Sequence, residues 1–169
     1  MAQSPFETLG LPVRFDLDRS EIEQAFLARV AQAHPDLAGN DGAADPAALN
    51  DARRVLLDDE QRARAVMSLR GPQAEAPPLS PEFLQEILDV RQQAEEAIES
   101  GDAGEIGRWR QWAADRRAEL RSKLSPLLGA GDGPLQPDAA RQASDVLQQW
   151  RYFERMLEQV GVPERAPDA

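Results

Sequence analysis

Residues 18–36 read DRSEIEQAFLARVAQAHPD, and the way this stretch ends governs how the rest of the chain is organised. Ile22, Ala25, Phe26, Val30 and Ala33 recur three and four apart, the spacing of a helix with one apolar face. Asp18 stands at the N-cap, with Glu21 at the capping-box position. His34 closes the segment. Pro35 fixes its own φ, supplies no N–H and drives His34 out of the helical region, so the turn is stiff. Asp36 follows on the outside of the bend, where a partner could reach histidine and carboxylate without moving the backbone. A histidine at a helix C-terminus, and Pro and Asp in a turn, are also ordinary choices. The tripeptide therefore takes its meaning from its surroundings.

Upstream, Ser4-Pro5-Phe6-Glu7 is a strong helix start, with Ser as N-cap, Pro at the first position and Glu placed to close a capping box. Gly10 ends that short helix. We expect Phe6 and Leu9 to pack inward and Leu11, Pro12 and Phe15 to form an extended link. Downstream, 37–44 is a polar, Gly-containing loop, and Asp45-Pro46 restarts the chain as N-cap and first helical residue. Leu49, Ala52, Val55 and Leu56 then recur helically and can pair with the earlier stripe, giving an antiparallel hairpin with His34 to Asp36 at its tip. Asp58-Asp59-Glu60 marks a cap or a kink. Ala63, Val66, Met67 and Leu69 carry a helix on to Gly71, and the Pro/Ala/Gly-rich run from Pro72 to Pro78 reads as a linker.

Ser80-Pro81 opens a second helical region. Phe83, Ile87, Val90, Ala94 and Ala97 form one face suited to a bundle interior, while Leu84 and Leu88 lie beside it. After a turn at Ser100-Gly101-Asp102, the segment from Ala103 to Leu128 places Ile106, Trp109, Ala113, Leu120, Leu124 and Leu127 on one side. Trp109 and Trp112 read as core anchors. A Gly/Pro loop, 129–137, leads to a last helix repeating Ala140, Ala143, Leu147, Trp150, Met156 and Leu157. Three helices of similar length with short turns imply an up-down-up bundle, and 163–169 reads as a frayed tail.

The net charge of −11 disfavours nucleic acid and anionic membranes, because phosphate binding needs clustered Lys/Arg. With no cysteine and one histidine, the chain cannot assemble an N/S metal site of the usual kind, so any cluster chemistry belongs to a partner. No apolar run approaches the roughly 20 residues of a membrane span, and no basic-then-apolar N-terminal signal is present. We expect a cytoplasmic protein without cofactors.

The short helix ending Leu9-Gly10-Leu11, the amphipathic helix, His34-Pro35-Asp36, the loop and Leu49-Asn50-Asp51-Ala52 together resemble the J domain of the DnaJ superfamily. The continuation, Arg62-Ala63 through Ser68-Leu69-Arg70-Gly71 and then Phe83 to Arg91, resembles one branch of it, the HscB-type co-chaperones of iron–sulfur cluster biogenesis. The likeness covers nearly the whole chain. It implies an all-α fold, with a J domain over 1–71, a linker over 72–79, a client-binding three-helix bundle over 80–163 on which the J domain packs, and a tail over 164–169.

The resemblance also implies two partners and no turnover of the chain's own. His34, Pro35, Asp36 and Arg29 would meet a DnaK/HscA-class chaperone and stimulate its ATPase. Leu84, Leu88, Glu96 and Tyr152 would hold an IscU-like scaffold. The sequence departs from the family pattern in places. From Ser20 to Ala33 its second helix carries Arg29 against Glu21 and Glu23 where Lys and Arg are usual, so Arg53, Arg54, Arg62 and Arg64 are candidates to supply basic surface. Leu37 stands where a basic residue often follows the tripeptide, and Gln85 and Gln92 replace a methionine and an acid. The rival reading is a J-like helical scaffold or binding module without chaperone stimulation. An enzyme using His34 and Asp36 as an acid–base pair lacks a nucleophile, a metal set and a phosphate loop, and we expect no catalytic residues.

Overall fold

The computed structural model describes residues 3–32, 45–71, 76–129 and 133–161. Among them the secondary structure is seven α-helices and no strand. His34, Pro35 and Asp36, the loop that follows them, the start of the linker and the tail lie outside the described residues.

Helix α1 (Pro5–Leu9) is set by its cap. Ser4 Oγ accepts from the Glu7 N–H at 3.2 Å while Glu7 Oε2 accepts from the Ser4 N–H at 3.0 Å. Gly10 closes it at φ 71°, a left-handed conformation that glycine takes without strain. Phe6 and Leu9 are buried as expected, and the link contributes more than a connection, since Phe15 and Leu17 are buried with them.

Helix α2 (Arg19–Gln32) packs against α3 (Pro46–Leu57) as a hairpin. Arg53 on α3 donates to both carboxylate oxygens of Glu23 at 2.7 and 2.6 Å and lies over the Phe26 ring. α3 buries Leu49, Ala52 and Leu56. α2 buries only Ile22, and Val30, expected on its inner face, is 43% exposed. Pro46 to Ala48, at the start of α3, are exposed as well. Glu21 gives both oxygens to Arg14, at 2.6 and 2.7 Å.

Asp58 is a cap, the first of the two alternatives its sequence left open. Its N–H donates to the Arg54 carbonyl and ends α3, while its Oδ1 accepts from the Gln61 N–H at 2.8 Å and starts α4 (Asp59–Arg70). Arg62 of α4 is 2% exposed. It donates to the carbonyls of Phe15 (2.8 Å) and Leu56 and to Asp59, and it stacks on the Phe15 ring. One guanidinium thereby ties the link, α3 and α4 together.

Helix α5 (Pro81–Ser100) begins under a Ser80 cap, its Oγ accepting from the Phe83 N–H at 3.2 Å. Gly101 turns the chain at φ 69°, and Asp102 accepts from the N–H groups of Gly104 and Glu105 to start α6 (Ala103–Leu128). Helix α7 (Pro137–Val160) completes the bundle. Phe83, Ile87, Ala94 and Ala97 of α5 are buried, with Ala113, Leu120 and Leu124 of α6 and Leu147, Trp150, Phe153, Met156 and Leu157 of α7. Arg117 on α6 holds Glu154 on α7 with two bonds of 2.7 Å, and Trp112 meets Phe153 edge-on at 5.5 Å. Trp109 and Trp112 are half-buried and meet edge to face at 5.3 Å, at the margin of the core they were expected to anchor. In α6, Leu128 is buried where Leu127 was expected, and from Ser125 on the chain groups with the first four helices.

The described residues form two compact units. The first takes those up to Gly71 together with those from Ser125 to Ala140, and the second takes the remainder between Ala76 and Gly161. The α6–α7 connection therefore groups with the first four helices. Arg70 explains this, donating to the carbonyls of Leu128 (2.8 Å) and Gly133 (2.9 Å) while its own carbonyl accepts from the Leu135 N–H at 2.8 Å. Asp16 adds a bond from the Ser125 hydroxyl at 2.8 Å.

Candidate functional site

The side chains that stand out in the second unit lie along α5 and α7. Leu88 is 57% exposed and Tyr152 39% exposed, while Leu84, one turn before Leu88, is half-buried. The Tyr152 ring meets Phe83 edge-on at 6.2 Å, and this fixes it toward α5. Between the two helices runs a groove of about 180 Å³ lined by Ile87, Leu88, Arg91, Tyr152, Arg155, Met156 and Gln159. Ile87 and Met156 are buried and form its floor. An exposed apolar strip with a polar rim is the surface a partner's apolar side chain can dehydrate.

The four client-side expectations do not converge on one spot. Leu88 and Tyr152 share the groove and Leu84 precedes it, whereas Glu96, exposed, accepts from Gln92 Nε2 at 3.1 Å. Twelve residues from Leu84, it points about 120° away around the helix at 100° per residue. The groove also uses Arg91, Arg155 and Gln159, which the sequence reading missed. They lie three and seven residues from Leu88 or Tyr152, so helical spacing carried the signal.

In the first unit, Arg29 is half-buried, and its guanidinium lies so close to Gly10 that a Cβ there would meet Nη2 at 2.5 Å. Leu27, two residues before it, is exposed. The arginines expected to supplement the basic surface are committed elsewhere. Arg53 holds Glu23, Arg54 holds Asp51, and Arg64 holds Glu60. Arg62 is buried and cannot serve. The Arg53 hydrogen bond holds the Glu23 carboxyl below the usual range, outweighing burial, and Lys123 and Arg116 do the same for Glu119. Among the described residues no group of three His, Cys, Asp or Glu could hold a metal, and no helix is long and apolar enough to cross a membrane.

Residues 79–161 match the family model described as the HSCB C-terminal oligomerisation domain. A co-chaperone protein HscB homolog of Cupriavidus taiwanensis is 29% identical over 147 residues, 81% of this chain and 84% of the relative. These likenesses support an HscB-type co-chaperone. The HscB homolog of Burkholderia thailandensis is 27% identical over 171 residues, covering 95% of this chain and 94% of its own. In fold, the chaperone HscB from Vibrio cholerae superposes with a TM-score of 0.67 at 22% identity, over 94% of this chain and 96% of that one. Human co-chaperone protein HscB gives 0.67 at 15% identity, over 95% and 84%. The all-helical HscB architecture, an N-terminal J domain followed by a C-terminal helical bundle, is thus the architecture of this chain.

Proposed function

We propose that this HscB-type chain is a two-ended adaptor. Its J domain stimulates ATP hydrolysis by a DnaK/HscA-class chaperone through His34, Pro35 and Asp36, with Arg29 alongside. Its bundle delivers an IscU-like iron–sulfur scaffold held at Leu84, Leu88 and Tyr152, with Glu96 on the flank. The chain works in the cytoplasm and breaks no bond itself. Asp36 offers an acceptor to a cationic group of the chaperone in a charge-assisted hydrogen bond. The observation that carries the reading is the apolar strip of Leu88 and Tyr152, exposed on neighbouring helices of the segment that matches the family model.

The rival reading, a J-like binding module without chaperone stimulation, is favoured by the spent arginines. Arg29 is turned onto Gly10 and Arg53 onto Glu23, so these two offer less charge to steer an acidic partner than free arginines would. One assay separates the two. Steady-state ATP hydrolysis by the cognate chaperone should rise on adding the chain and fall back with Asp36→Asn, and client affinity should drop roughly tenfold for Leu84→Ala with Leu88→Ala. An ATPase rate that the wild-type chain leaves unchanged rules out stimulation.

A further inference from the structure

We infer that the α5–α7 groove takes a partner segment carrying a carboxylate beside its apolar anchor; this rests on the client-binding reading above and specifies the client's chemistry. Two of the residues lining the groove are cationic, Arg91 and Arg155, and none is anionic. In a chain of net charge −11 that sign is reversed locally. Arg155 is exposed and has no ion-pair partner among the described residues, although Glu158 follows it by three positions on the same helix. Arg91 holds Glu95 at 2.7 Å, but both side chains are almost half exposed, and such i,i+4 surface pairs exchange readily for a better partner.

The neighbouring acids are occupied. Asp89 accepts from Gln85 at 2.8 Å, and Glu154 accepts from Arg117 and from the Trp150 ring N–H. A partner's apolar side chain seated between Leu88 and Tyr152 would exclude water from the rim, where a guanidinium–carboxylate bond gains strength and can be bidentate. A basic residue in the same place would face two cations, of which only Arg91 has a carboxylate of its own. The chain's overall negative charge works the other way and favours cationic ligands at long range, so a preference for an acidic one has to come from the groove.

The test uses the full chain and two 15-residue peptides with the same Leu-x-x-x-Leu pair, flanked by glutamates in one and by lysines in the other. Calorimetric titration at about 0.15 M salt keeps long-range charge effects within a Debye length of about 8 Å. The glutamate peptide should bind at least about fivefold more tightly, and Arg155→Glu should reverse the order. Thermal unfolding of that variant should match wild type, since Arg155 is exposed and unpaired among the described residues. Equal binding, tighter binding of the lysine peptide, no binding of either, or a preference that survives Arg155→Glu would each overturn the inference.

A second titration, with an IscU-type scaffold protein, separates this inference from the reading beneath it. If the scaffold binds and Leu88→Ala weakens it while Arg155→Glu does not, the carboxylate inference fails and the client reading stands. If the glutamate peptide binds as stated and the scaffold does not compete with it, the groove's preference stands and the identity of the client falls.

Discussion

Arg62 is the side chain whose loss should be felt most in the first unit. Its replacement by methionine keeps the length of the side chain but leaves the Phe15 and Leu56 carbonyls without their donor in a site that is 2% exposed. We expect a loss of about 3 kcal/mol, measured by urea unfolding, as for removal of one member of a buried charged network. Glu23 has a subtler signature. Its carboxyl is held below its usual value of 4.5 in the folded chain, so its stabilising contribution is complete above that value and disappears as pH falls through the lowered one. Wild type should therefore unfold at a higher temperature than Glu23→Gln at pH 7 and lose that margin as the pH is taken down through the lowered value. A margin that grows on acidification would mean the Arg53 bond is not what holds the carboxylate.

Helix boundaries are where local sequence and structure agree most closely. Ser4-Pro5, Asp45-Pro46 and Ser80-Pro81 all start helices as read, because a cap is satisfied within three residues and needs nothing from the rest of the chain. Asp58 does this twice, ending α3 and starting α4, so Asp58→Ala should cost about 1 kcal/mol and loosen both ends, visible as faster amide exchange around Leu57 and Gln61. The parts that could not be read depend on distant partners. Arg62 looks like any helical surface arginine, and its acceptor on Phe15 lies 47 residues away. Val30 sits on the apolar stripe of α2 and is nevertheless 43% exposed. At the bundle, Leu88 and Tyr152 were pointed to by the family resemblance and both are exposed, whereas Arg91 and Arg155 join them only once α5 and α7 are side by side.

The first unit is discontinuous in sequence, and a truncation experiment follows from that. A chain ending at residue 78 keeps α1 to α4 but lacks Leu128 and Leu135, both buried, and the three bonds that Arg70 makes with the α6–α7 connection. Fully burying one such leucine is worth about 1.5–3 kcal/mol, so the fragment should melt well below the intact protein or fold only in part. A fragment as stable as the full chain in chemical denaturation would show that the connection adds nothing. Pull-down comparisons that delete everything from Ser80 onward therefore compromise the half they are meant to keep, and point substitutions at Leu88 or Arg155 are the cleaner way to separate the two ends.

The Arg70 clasp has a further bearing on how the protein comes into being. Its acceptors, Leu128 and Gly133, are translated some sixty residues after it. At a synthesis rate of about 5–20 residues per second, the first four helices wait roughly 3 to 12 seconds on the ribosome before the clasp can close. During that interval the nascent J domain is incomplete, and the chain reaches its finished form only when its second half has emerged.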